Sequence, residues 1–253
     1  MPEMPLGMRL GIHVLGIVYE ATMIGIGTAA SLMARAKGDR ALRVLGLGFL
    51  LIGIGDLMHT LGHVATDVAP FLRLAYVFEV LSTALSITLA TAFFTTVRLY
   101  VNLALREDLG PLDKALLCFP AATAVLAFVG AGVRLLPVFC TLTLYTALLA
   151  SSVALMVIAG YVGCLSLLRA VRTGLLPAGL GDDRRRRRLA WGSVLMALAV
   201  TFVLIHPFVV HAPLAMFVIT VLKILTLMSS GLFVGSSLMA PEGSRSTAPQ
   251  PSK

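Results

Sequence analysis

Charge is scarce in this sequence. Only 13% of its 253 residues are Asp, Glu, Lys or Arg, and 58% are hydrophobic, whereas a soluble domain carries about a quarter charged residues. A water-soluble fold of this length has too little interior to hide that much apolar surface, so a soluble enzyme or binding module is excluded. Cysteine is also sparse. Cys118, Cys140 and Cys164 lie in or beside apolar stretches, and no C-x-x-C is present, which argues against a disulfide framework or a thiolate metal site. The segment Met1 to Leu6 lacks the basic n-region and small-residue cleavage site of a secretory signal, so the first apolar stretch is expected to stay as a helix. The metalloprotease form His-Glu-x-x-His and repeats of 20 to 50 residues are both missing.

What the chain does have is seven long apolar runs, at about 8–33, 41–65, 71–100, 115–135, 137–168, 189–210 and 213–239. Each is long enough to cross about 30 Å of hydrocarbon at about 1.5 Å per residue. Backbone groups in lipid must satisfy one another, which makes these runs helices. The expectation is an all-α, polytopic protein of the cell membrane. A seven-transmembrane-helix bundle occupies 1–240, and a disordered tail rich in Ser, Pro and Gly occupies 241–253.

The basic residues set the expected orientation. Arg35, Lys37, Arg40 and Arg43 are assigned to the first connection; Arg98, Arg106 and Lys114 to the third; Arg169, Arg172 and Arg184 to Arg188 to the fifth; Arg245 and Lys253 to the tail. The other side holds only Arg9, Arg73 and Arg134. Because cytoplasmic loops retain Lys and Arg, the amino terminus is expected outside and the carboxyl terminus in the cytoplasm. The net charge of +8 is therefore a topology signal, and no nucleic acid partner is expected. The run Arg184 to Arg188 reads as a headgroup anchor, with anionic lipid or a cytoplasmic protein as its possible partner.

Ionisable residues inside spans are costly and mark function. They are His13 and Glu20 in the first run, Asp56, His59 and His63 in the second, Glu79 in the third, His206 and His211 at the end of the sixth, and Lys223 in the seventh. At about 1.5 Å per residue, His59 lies roughly 10 Å from the outer end, Glu79 roughly 12 Å, and Asp56 and Lys223 roughly 15 Å. Asp56, His59 and His63 share one helix stripe, as do His13 and Glu20. The third run repeats the pattern with Tyr76, Glu79, Thr83 and Ser86, and the seventh with Thr220, Lys223, Thr226 and Ser230. The stripes suggest a polar cavity among helices one, two, three, six and seven, opening outward, with helices four and five as an apolar flank.

The strongest motif is Asp56-Leu-Met-His59-Thr-Leu-Gly-His63. Two histidines one turn apart can ligate one transition metal, zinc or copper, with Asp56 as a further ligand or as an orienting partner. Glu20, Glu79 or His206 would complete the ligand set. His59 or His63 could instead join His206 as axial ligands of a b-type haem. A zinc-bound water with Asp56, His59 and Glu79 would make an intramembrane hydrolase. The leading expectation is metal or metal-cofactor binding for sensing, redox work or assembly of a membrane complex. Its main rival is a proton-coupled small-solute carrier using Glu20, Asp56, Glu79 and Lys223 as a relay.

Two family resemblances attach to these residues. Lys223 in the last helix, with Glu79 at similar depth in the third, resembles the Schiff-base lysine and counterion of seven-helix retinal proteins. The chain departs from that family in having a single tryptophan, Trp191, and Ile219 where those pumps have an Asp. A bland alternative is a Lys223 to Glu79 ion pair that only stabilises the bundle. The His-x-x-x-His followed by Ala69-Pro70 resembles a stretch of the membrane proteins that assist copper-containing cytochrome oxidases, which implies copper. It is offset by one residue at Ala-Pro and lacks the glutamine that family shows before its second histidine.

Overall fold

A computed structural model describes residues 4–136, 141–173, 183–209 and 212–239. They form seven helices: α1 Leu6–Lys37, α2 Arg40–Val68, α3 Arg73–Leu105, α4 Pro111–Leu135, α5 Thr141–Arg172, α6 Asp183–Val209 and α7 Pro213–Met239. All seven are long and apolar enough to cross a membrane, and no strand occurs among the described residues. Successive helices pack side by side, α3 also touches α5, and α7 returns onto α1 to close the bundle. His211, Cys140 and the tail 241–253 lie outside the described residues.

The helices run beyond the apolar runs at several ends, because polar residues continue a helix wherever propensity allows. Arg98 stands on α3 and not in a connection, since α3 continues to Leu105. The five arginines occupy the first turns of α6; arginine is a good helix former, so a charged run need not be a loop. Pro111 opens α4, where the missing N–H is one the helix could not have used. In that first turn Asp113, 5% exposed, meets Arg98 Nε at 2.6 Å and accepts from the Gly110 amide at 3.0 Å. One buried carboxylate thus caps α4 and ties it to α3.

Glycine decides how closely α2 is gripped. Gly46 and Gly53 form one stripe, and Gly48, Gly55 and Gly62 form a second, each spaced by seven. The first stripe faces α1: a Cβ on Gly46 would lie 2.9 Å from the Ser31 amide nitrogen, and one on Gly53 would lie 2.8 Å from Ile24. The second faces α3, where a Cβ on Gly62 would lie 2.9 Å from the Glu79 Cα. Small residues on both faces let neighbouring backbones approach, the usual device where lipid removes the hydrophobic drive between helices. Midway along the bundle, Tyr19, Met23, Phe49, Phe93, Phe94 and Met196 pack in one buried cluster.

Pro120 stands inside α4 and leaves the Leu116 carbonyl without its helical donor. The Thr95 hydroxyl of α3 lies 3.5 Å from that oxygen while bonding the Thr91 carbonyl at 2.9 Å. The neighbouring helix thus gives that carbonyl only a long, shared contact.

Candidate functional site

A cavity of about 500 Å³ lies in the half of the bundle that contains the start of α1 and the end of α2. Its lining includes His13 and Glu20 of α1, Asp56, His59 and His63 of α2, Glu79 of α3, His206 of α6 and Lys223 of α7. Among the described residues, none of α4 or α5 lines it. The eight intramembrane candidates His13, Glu20, Asp56, His59, His63, Glu79, His206 and Lys223 all border this one space.

The geometry around the histidine pair is specific. His59 and His63 sit one turn apart on α2, their rings edge to face with centroids 4.4 Å apart and their Nε2 atoms 3.2 Å apart. Each ring is held from behind. His63 Nδ1 lies 3.1 Å from Glu79 Oε1, and His59 Nδ1 lies 3.2 Å from the Thr83 hydroxyl. In one tautomer the Thr83 proton goes to the Glu79 carbonyl at 2.8 Å and Thr83 accepts from His59 Nδ1–H. His63 Nδ1–H likewise donates to the Glu79 carboxylate. In that tautomer the two Nε2 lone pairs face each other with room for a cation between them; in the other, Thr83 donates to His59 Nδ1 and His59 Nε2–H donates to His63 Nε2.

Other side chains are committed elsewhere. Asp56 accepts from the Tyr19 hydroxyl at 2.9 Å through Oδ2 and from the Ser86 hydroxyl at 2.7 Å through Oδ1. Glu79, and not Asp56, is therefore the carboxylate that orients a histidine. The expected Lys223 to Glu79 ion pair is not formed: Glu79 pairs with His63, and Lys223 makes no ion pair among the described residues. Among those residues, no group of three or more His, Cys, Asp or Glu side chains is arranged to hold a metal ion. Any metal here would rest on two protein nitrogens, with its remaining positions open.

At the end of the cavity, Asp67 receives Arg9 Nη1 at 2.5 Å and faces His13 Nε2 at 2.9 Å, fastening the start of α1 to the end of α2. Glu20, only 1% exposed, accepts the Thr60 hydroxyl through Oε1. Sequence reasoning missed Tyr19, Thr60, Asp67 and the pairing role of Arg9. Asp67 carried a signal, since it continues the stripe of Asp56, His59 and His63 by one more turn. It was hidden because the apolar run ends before the helix does. No protein-family model matches this chain, and comparison with curated proteins finds no match.

Proposed function

We propose that this protein is a multi-pass membrane protein that binds one transition-metal ion, zinc or copper, between His59 and His63 in a cavity facing the outside of the cell. The observation that carries the reading is the pair of Nε2 atoms 3.2 Å apart, with each Nδ1 occupied by a fixed partner. Two nitrogens about 2.0–2.1 Å from a tetrahedral zinc lie roughly 3.3 Å apart. A carboxylate behind the ligating ring, here Glu79, is the usual partner that fixes such a histidine. Open coordination positions suit sensing, redox work or delivery to another membrane complex. The outward orientation rests on the distribution of Lys and Arg.

A proton-coupled solute carrier is the second reading. The same histidine pair can share a proton in place of a metal, and a cavity of about 500 Å³ is far larger than an ion needs.

The test is elemental analysis and an absorption spectrum of detergent-purified protein beside a His59→Ala/His63→Ala double variant. Stoichiometric zinc or copper, lost in the variant, is the expected result. A Soret band would assign haem b to His206 with His59 or His63, and a visible band lost on hydroxylamine treatment would assign retinal to Lys223. A colourless, metal-free protein overturns the metal reading and leaves the carrier.

A further inference from the structure

Beyond the histidine pair, several groups lining the cavity have unused bonding capacity, among them Arg9 Nε and the His206 ring; three of them lie on α1 and α7. Glu20 is 1% exposed, and its Oε2 has no hydrogen-bond partner. Thr220 Oγ1 on α7 is buried and equally unpartnered. Lys223, one turn further along α7, makes no ion pair or side-chain hydrogen bond among the described residues. All three residues border the same space, and a side-chain rotation is needed to bring Glu20 Oε2 and Thr220 Oγ1, both without accessible surface, into it.

Opposite charges in a low-dielectric site attract strongly, and α1 and α7 are packed neighbours. Even so, the Glu20 carboxylate and the Lys223 ammonium form no ion pair. The other carboxylates of the cavity are satisfied. Asp67 is met by Arg9 and His13, Glu79 by His63, and both oxygens of Asp56 by Tyr19 and Ser86. Of the carboxylates and the ammonium, Glu20 and Lys223 are left without an ion-pair partner among the described residues, with the Thr220 hydroxyl one turn from Lys223 and the His206 ring and Arg9 Nε also unpartnered. A ligand of net charge would satisfy one end and leave the other buried and unpaired, which is the costly outcome.

We propose that the cavity binds a small zwitterion of the amino-acid class, its ammonium paired with the Glu20 carboxylate and its carboxylate with the Lys223 ammonium, Thr220 turning its hydroxyl to the same end. The cavity volume of about 500 Å³ falls within the range of about 300–1,000 Å³ usual for small-molecule sites. The site uses neither histidine of the metal pair, so it stands or falls independently of the metal reading. It also names a solute class for the carrier.

The test is calorimetric titration of the purified full chain with glycine, β-alanine, γ-aminobutyrate and δ-aminovalerate, which separate the two charges progressively, beside butylamine and butyrate. At least one zwitterion should bind about tenfold or more tightly than either singly charged compound. Glu20→Gln should remove that advantage while leaving butyrate binding unchanged, and Lys223→Met should remove it while leaving butylamine binding unchanged. These reciprocal readouts separate loss of a charge from loss of the fold. The His59→Ala/His63→Ala variant should keep its zwitterion affinity.

The proposal is overturned if no zwitterion surpasses both singly charged compounds. It is equally overturned if folded Glu20→Gln and Lys223→Met proteins bind like the unaltered chain, or if the histidine variant alone loses binding. Bound metal without zwitterion binding defeats this inference only, and zwitterion binding without metal defeats the metal reading only.

Discussion

At the scale of single residues, Glu79 is where the proposed metal site is most directly tested. Its carboxylate holds His63 Nδ1 at 3.1 Å, and removing such a partner costs about 10–100-fold in metal affinity. Glu79→Gln keeps the shape and loses the charge, so zinc titration of that variant should show a loss of this order while the thermal midpoint stays close to that of the parent. Unchanged affinity would mean that the histidines do not hold the ion. Asp113 at the opposite end gives a purely structural comparison. It is 5% exposed and bonded by Arg98 Nε at 2.6 Å. Arg98→Leu leaves a buried carboxylate without its cation and should destabilise by about 3–5 kcal/mol, and the Arg98→Leu/Asp113→Asn double variant should recover part of that loss. Denaturant titration in detergent compares the two.

Among the elements, α2 is the most constrained, because α1 and α3 press on it along two glycine stripes. Gly62→Ala would put a Cβ 2.9 Å from the Glu79 Cα and into the Ser82 hydroxyl. The helices must separate, and overpacking of this kind costs about 1–3 kcal/mol. The displacement would also move Glu79 relative to His63, so metal affinity should fall together with the thermal midpoint. Gly25→Ala on α1, where nothing lies within 4 Å of the added carbon, should leave both properties near the parental values. If both alanines behave alike, close backbone approach is not what sets the α2–α3 spacing. The seven helices themselves were legible because span length and lipid leave the backbone no other option. Their ends were less legible: Arg98, Asp113 and the five arginines of α6 continue helices past the apolar residues that signalled them.

For the molecule as a whole, the asymmetry of charge predicts the orientation. In a background without native cysteines, Phe71→Cys, at a position 98% exposed between α2 and α3, should react with a membrane-impermeant maleimide on intact cells. Glu107→Cys, between α3 and α4, should react only after permeabilisation. The reverse labelling would turn the cavity toward the cytoplasm and leave its geometry unchanged.

Composition and periodicity alone determined that this is a seven-helix membrane bundle with ionisable stripes on helices one, two, three, six and seven. Hydrocarbon thickness and the cost of charge in lipid are local rules that read directly off the chain. Tertiary structure decided which stripe meets which. Axial rotation and register place Glu79 behind His63 and away from Lys223, give Asp56 to Tyr19 and Ser86, and bring Asp67 to Arg9. Those pairings depend on contacts a few ångströms across, set by two rows of glycine on α2, and a difference of one residue in register would rearrange them without altering a single span.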